Sequence, residues 1–244
     1  MSTNSRCFAL AVVLVVVQFY GCSDSSVNSG SGGISVMPGP GSVFHYTQLS
    51  SPGAFGGFDT ITVTDSVIES GVLLGSHRNV LHVLRSVNDG FTPPEDVFYN
   101  FESSGDVTQQ VGSLAFPDQS IWVPYPVYTH QPWNGLVMDS TLNVQGEQIH
   151  ELMYDTVSFL GSGFADVQGK LLQTSRIKML LAATATTTDP SSGGLLTQTI
   201  NIIRNVDFAP SIGYFTLDQE ISSALDSSAL TETQTMTLTS YTLK

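Results

Sequence analysis

The chain has 244 residues, of which 41% are hydrophobic and only 12% are charged, so it holds ample material for a buried core. A chain of this length often forms one all-β domain. Its 21 acidic side chains against eight basic ones give a net charge of −13, which excludes nucleic acid as an expected partner and disfavours adhesion to anionic lipid by charge alone.

The first 21 residues have the pattern of a secretory signal peptide. A short polar start with Arg6 precedes an apolar run at residues 7–17, and Phe19-Tyr20-Gly21-Cys22 follows. The run is too short to span about 30 Å of hydrocarbon as a helix, but it fits the apolar core of a signal. We therefore expect residues 1–21 to be removed, which leaves Cys22 as the last cysteine and excludes an internal disulfide.

The segment Phe19-Tyr20-Gly21-Cys22 resembles the lipobox of bacterial lipoproteins, in which a small residue precedes the modified cysteine. The resemblance implies that Cys22 becomes the first mature residue and carries acyl chains, palmitate among them. Two or more chains give a stable membrane anchor, whereas one gives only marginal binding. Ser23 stands where the family uses aspartate for inner-membrane retention, which implies the outer membrane of the cell envelope. The alternative is an ordinary secretory signal with an incidental cysteine.

Residues 22–42 are predicted to form a lipidated tether. Their sequence is rich in serine, glycine and proline and has few large apolar residues, so it cannot build a core. Twenty such residues reach roughly 25 Å root-mean-square. The folded domain is then expected at residues 43–244, held clear of the lipid headgroups.

From residue 43 onward, apolar and polar residues alternate with a period of two. This pattern predicts an all-β fold: a single antiparallel, strongly curved sheet, or a half or closed barrel. A bend is expected at Gly161-Ser162-Gly163, and the only candidate helical turns are 146–154 and 221–230. The predicted strands are 60–65, 79–87, 97–102, 107–111, 156–160, 167–187, 195–206 and 231–243.

Three short motifs resemble a group of uncharacterised β-rich bacterial lipoproteins. They are Gly41-Ser42-Val43-Phe44-His45-Tyr46 as an opening strand, Phe208-Ala209-Pro210-Ser211-Ile212-Gly213 as a turn, and Leu238-Thr239-Ser240-Tyr241 as a closing strand. Ser211 stands where the family has glycine. The resemblance implies a curved antiparallel sheet, loosely like the half-barrel of periplasmic lipoprotein carriers, and it implies no established activity.

Residues 116–134 combine both tryptophans with four prolines, which exclude this segment from a central strand. Aromatic faces on a stiff segment can stack on sugar rings, or bind an apolar ligand or an envelope protein. The alternative is a long aromatic and proline-rich crossover whose rings plug one mouth of the barrel. The candidate ligand surface consists of Trp122, Tyr125, Tyr128 and Trp133.

No catalytic, metal-binding or cofactor-binding residue is predicted. His150-Glu151 begins like a zinc-protease helix, but Tyr154 stands where the second histidine is needed. The other histidines lack paired ligand spacing, so surface or locally hydrogen-bonded roles are expected for them. The nucleophile elbow and the phosphate-binding loop are absent from the sequence.

Three acidic pairs are candidates for glycoside hydrolysis, which needs two facing carboxylates about 5–9 Å apart. Asp218 and Glu220 would share one strand face, but an acidic strand exposed to solvent offers the same spacing. The pairs are Glu95 with Asp96, Glu147 with Glu151, and Asp218 with Glu220.

The leading hypothesis is a membrane-anchored envelope lipoprotein whose domain is non-catalytic and serves binding or structure. Its partners are then the membrane, through the lipid anchor, and a glycan, an apolar ligand or an envelope protein. The alternatives are an envelope glycan hydrolase that uses a carboxylate pair, and a carrier of acyl chains.

Overall fold

The computed structural model describes residues 36–51, 59–111, 121–144, 147–188, 194–224 and 231–244. The predicted signal peptide, Cys22 and most of the predicted tether lie outside this part of the chain. Within it, no helix is long and apolar enough to cross a membrane. The strands are β1 Val43–Ser50, β2 Asp59–Leu74, β3 His77–Val87, β4 Glu95–Phe101, β5 Val107–Val111, β6 Ile121–Tyr125, β7 Trp133–Val144, β8 Glu147–Val167, β9 Lys170–Thr188, β10 Leu195–Ala209, β11 Tyr214–Ala224 and β12 Thr231–Thr242.

All these strands form one antiparallel sheet, in the order β6-β5-β4-β3-β2-β1-β12-β11-β10-β9-β8-β7. The sheet is nearly closed into a barrel, so the predicted all-β fold is confirmed. Its two edge strands, β6 and β7, are joined by the short segment 126–132. The first and last strands pair with each other in the middle of the sheet.

The crossover is shorter than predicted, because the aromatic segment includes a strand. Ile121–Tyr125 forms β6, which pairs with β5 on one side only. Pro124 lacks an N–H group, and an edge strand tolerates this. The crossover itself is fixed by Asp106, whose Oδ1 accepts hydrogen bonds from the backbone N–H groups of Tyr128 at 2.7 Å and Thr129 at 3.0 Å.

The prediction of helical turns at 146–154 and 221–230 is wrong for those of these residues that the structure describes. Residues 147–154 belong to β8, which turns Met153, Asp155 and Val157 inward, and β11 continues to residue 224. The polar residue in this inward row obscures the alternation in the sequence. Residues 225–230 lie outside the described part of the chain.

The bend predicted at Gly161 is a β-bulge inside the continuous strand β8. Gly161 has a φ of 133°, and the pairing of β8 with β9 shifts between Phe159 and Gly161. The chain reverses only at Gln168 and Gly169, whose φ values are 55° and 73°. A two-residue hairpin turn favours positive φ at both positions, so the segment predicted as one strand at 167–187 starts with this turn.

The core is rich in aromatic side chains from the inner face of the sheet. Phe44 stacks on Tyr214 with 4.1 Å between ring centroids, and Phe215 meets Phe208 edge-on at 5.2 Å. These residues lie where β1 and β11 begin and where β10 ends. Because the sheet is antiparallel, they form one aromatic layer at one end of the barrel.

The folded body begins before residue 43, where the tether was expected to end. The N–H of Val36 donates to the carbonyl of Pro210 at 3.0 Å, and the N–H of Gly41 donates to the carbonyl of Val67 at 2.9 Å. Met37 packs against the core. Residues 36–42 are therefore a docked segment, and a tether can occupy only residues 23–35.

Gly213→Ala is expected to loosen this docked segment. Gly213 has a φ of 62°, and an added Cβ would lie 1.5 Å from the carbonyl oxygen of Val36. Gly169→Ala is the matched control, because Gly169 has a φ of 73° but no atom within 4 Å of the added Cβ.

Both substitutions carry the left-handed backbone cost of about 1–2 kcal/mol, and only Gly213→Ala adds the clash. Urea unfolding should show a larger loss for Gly213→Ala, with faster hydrogen exchange at the Val36 amide. Equal losses and unchanged exchange would contradict the docking.

Candidate functional site

The barrel interior holds two arginine–aspartate pairs, which we call the interior charged cluster: Asp65, Arg85, Arg204 and Asp218. In the first pair, Arg85 donates from Nε to Asp65 Oδ1 at 2.8 Å and from Nη2 to Oδ2 at 2.8 Å. The hydroxyl of Tyr214 also donates to Asp65 Oδ2, at 2.9 Å. Asp65 and Arg85 lie opposite each other on β2 and β3, and the Asp65 side chain is fully buried.

The second pair joins β10 to β11. Arg204 donates from Nε to Asp218 Oδ1 at 2.7 Å and from Nη2 to Oδ2 at 2.6 Å. Its Nη1 reaches Gln109 Oε1 on β5 at 3.4 Å, and the Tyr125 hydroxyl donates to the same oxygen. Because β5 and β10 are not neighbours in the sheet, this network crosses the barrel interior.

The two carboxylates of the cluster are held by the guanidinium groups. Burial works to raise the pKa of Asp218, but the charge and hydrogen bonds of Arg204 outweigh burial and leave that pKa below its usual value. Two-point contacts of this kind are the strong form of the arginine–carboxylate interaction. The charged groups of the cluster therefore bind each other inside the barrel, as the members of a structural network do.

Asp155 is a further interior carboxylate and has a different environment. It lies on the inner face of β8 between Met153 and Val157, and 3% of its surface is exposed. Its Oδ1 has no hydrogen-bond partner within the described part of the chain. Burial raises the pKa of Asp155 to about 6, although the charge of Arg204 acts in the opposite direction. This group can therefore take up a proton close to neutral pH.

Sequence reasoning assigned no role to either interior arginine. The signal was present, because Arg85 follows Val83 at the inward spacing of β3, and Arg204 follows Ile202 in the same way on β10. An arginine at an inner-face position of an alternating strand needs a buried partner. The identity of that partner depends on strand pairing, which the local sequence does not reveal.

The predicted aromatic ligand surface is not exposed as a whole. Tyr125 is completely buried in the core, so it is not part of an exposed surface, and a ligand-binding role for it stays a prediction. Trp122 is also buried, and its ring lies 4.4 Å from that of His77. Both residues belong to the edge strand β6, and Tyr125 is the one that is part of the hydrophobic core cluster. Tyr128 and Trp133 are partly buried against the core, and a ligand-binding role for them stays a prediction.

The acidic pairs do not form a glycosidase-like arrangement among the side chains that the structure describes. Asp218 belongs to the interior charged cluster, so the solvated strand face expected for it is wrong. Asp96 Oδ1 lies 2.7 Å from the imidazole Nε2 of His82, and Glu95 lies 3.9 Å from Arg85. The side chains of Glu147 and Glu151 lie outside the described residues.

The histidines are dispersed over the sheet. His150 lies on a strand, where Nε2 is 2.8 Å from Asp139 Oδ1, and His130 stacks on Phe159 at 3.7 Å. His77 is buried, so a surface role is wrong for it, whereas a locally hydrogen-bonded role stays a prediction. The described residues contain no group of three or more His, Cys, Asp or Glu that could hold a metal ion.

No family model and no curated protein matches the chain. Among solved structures, a protein from Bacteroides fragilis with a YmcC-like fold is similar at a TM-score of 0.44 and 13% sequence identity, and the alignment covers 84% of this chain and 97% of that chain. None of these comparisons assigns a role to the interior charged cluster.

Proposed function

We propose that this protein is a lipid-anchored protein of the bacterial cell envelope, with a non-catalytic β domain that binds or supports other envelope components. The observation that carries the non-catalytic role is the interior charged cluster. Each of its arginines is held by two contacts to an aspartate, at 2.6–2.8 Å. Catalysis by a charged group needs that group to be available to the reacting atoms.

The anchor in this proposal is Cys22, within the lipobox-like sequence Phe19-Tyr20-Gly21-Cys22. Acyl chains on this residue would hold the domain at a membrane, and Ser23 favours the outer membrane. The docked segment that begins at Val36 leaves thirteen residues between the anchor and the folded body. The domain would therefore act close to the bilayer that holds it.

Intact-mass measurement of the protein isolated from membranes tests the anchor. The wild type should lack residues 1–21 and carry the added mass of at least two acyl chains, whereas Cys22→Ala should carry none. Cys7→Ala is the matched control and should keep the acyl mass, because Cys7 lies in the segment expected to be removed. An unmodified Cys22 thiol in the wild type would contradict the proposal.

A hydrolase is a second candidate, because the pKa values of Asp155 and Asp218 are moved in opposite directions. Pairs of this kind serve as acid and base in some enzymes. The burial of Asp155 argues against access by a glycan. A carrier of acyl chains is disfavoured by the four charged side chains of the cluster, since an acyl chain needs an apolar cavity.

A further inference from the structure

We propose that one end of the barrel is a membrane-docking surface that rests on the bilayer holding the lipid anchor. This surface, the anchor end, is the end at which β1 begins and the hairpins β2–β3, β8–β9 and β10–β11 turn. The inference depends on the proposed acylation of Cys22. The docking surface would orient the domain relative to the bilayer and give the protein a second contact with lipid.

The path of the chain places this end next to the anchor. Val36 enters the folded body at the β10–β11 turn, where its N–H binds the carbonyl of Pro210. Residues 23–35 then link Cys22 to Val36. Thirteen residues extend to about 45 Å at most, and a Ser/Gly-rich coil of that length reaches roughly 20 Å root-mean-square. The linker thus joins the barrel at the anchor end and keeps that end within reach of the bilayer.

Large apolar side chains are exposed around the anchor end. Leu73 precedes the β2–β3 turn and is 68% exposed, while Leu171 follows the β8–β9 turn and is 69% exposed. Phe164, on the neighbouring part of β8, is 64% exposed, and Val36 and Leu243 are also exposed. Burial of one such leucine in an apolar phase changes a partition constant by about tenfold or more.

The basic side chains are concentrated towards the same end. The seven basic residues after Cys22 include the two arginines of the interior cluster, and the other five lie on the half of their strands nearest the anchor end or beyond it. Cations near an anionic membrane surface favour binding. The net charge of −13 conceals this segregation. The five residues are Arg78, Lys170, Arg176, Lys178 and Lys244.

The opposite end provides the internal comparison. Phe91 and Leu195 are also exposed there, at 93% and 76%. Phe91 lies near Asp89 in the β3–β4 connection, Asp96 follows at the start of β4, and no exposed lysine or arginine is described at that end. The anchor end is not purely basic, since Glu69 and Asp166 are exposed on it. Among the described residues, apolar tips and exposed cations occur together at the anchor end, where the linker from Cys22 also enters.

Single engineered cysteines can test which end contacts lipid. The full-length protein is expressed with its signal peptide and carries Leu73→Cys, Leu171→Cys, Phe91→Cys or Leu195→Cys. Each variant is reconstituted into phosphatidylethanolamine–phosphatidylglycerol vesicles and labelled with a polarity-sensitive thiol dye. Leu73→Cys and Leu171→Cys should show blue-shifted emission and lose most of it to a nitroxide carried on lipid chains. Phe91→Cys and Leu195→Cys should show neither effect.

The wild type separates failure of this inference from failure of the anchor. If Cys22 is acylated and Cys7 removed, wild-type protein takes up no dye. Labelling of wild-type Cys22 would overturn the proposed function, and the docking surface with it. With an unlabelled wild type, water-like emission at all four positions would overturn the docking surface alone. A blue shift without quenching by the lipid nitroxide would also overturn it, because the contact would then be with protein.

Discussion

Arg204→Met will destabilise the protein by about 3–5 kcal/mol, because it leaves the carboxylate of Asp218 buried without its cation. The free energy of urea unfolding measures this loss. The double variant Arg204→Met with Asp218→Leu should recover most of it, since replacing both members of a buried ion pair by apolar residues is often neutral or stabilising.

Arg176→Met is the matched control on the neighbouring strand β9. Arg176 lies 3.6 Å from Asp207, but its side chain is 54% exposed. An exposed pair of this kind contributes less than about 1 kcal/mol. A small loss for Arg204→Met, or a double variant as unstable as the single one, would show that the interior cluster is not a structural network.

Asp155→Asn should stabilise the protein, and the gain should depend on pH. Burial raises the pKa of Asp155 from 3.8 to about 6 in the folded state. The folded protein therefore binds this proton more tightly than the unfolded chain does. The stabilisation that protonated Asp155 gives the folded state is complete below about pH 4 and is lost as the pH rises through 6. A difference of about two pH units corresponds to roughly 3 kcal/mol.

Asparagine cannot ionise, so Asp155→Asn should avoid this loss. We expect a gain of about 2–3 kcal/mol in unfolding free energy at pH 7.5 and almost none at pH 4. Asp166→Asn is the matched control, because Asp166 is an exposed acid on the same strand, and it should change the unfolding free energy at pH 7.5 by less than about 0.5 kcal/mol. Destabilisation by Asp155→Asn at pH 7.5 would mean that the ionised carboxylate has a favourable partner.

Local sequence patterns predicted much of the fold. The turn at 103–106 between two alternating segments identified the hairpin of β4 and β5, and the alternation of 60–65 identified part of β2. The failure at 146–154 has a physical cause, because Asp155 interrupts the inward apolar row of β8. The buried carboxylate of Asp155, which has the raised pKa, is thus also the group that hides the strand pattern.

The strand order and the interior cluster could not be predicted in the same way. Asp65, the partner of Arg85, is 20 residues from it in sequence and lies on an adjacent strand. Gln109, which accepts a hydrogen bond from Arg204, is 95 residues from that arginine. Such contacts follow from closure of the whole sheet. Closure depends on the pairing of β1 with β12 and on the short connection 126–132, and neither can be read from one segment alone.

The pairing of β1 with β12 also constrains the order of events during biosynthesis. The strand that bridges the two halves of the sheet, β12, follows the other described strands along the chain, so it leaves the ribosome after them. Until β12 is available, β1 and β11 each have an unpaired edge. When β12 pairs with both of them, the chain between β1 and β12, which is nearly the whole domain, becomes a closed loop. Folding dominated by such distant contacts is slow. A chain that completes its sheet late stays unfolded for longer, which would suit the export to the cell envelope that we propose for this protein.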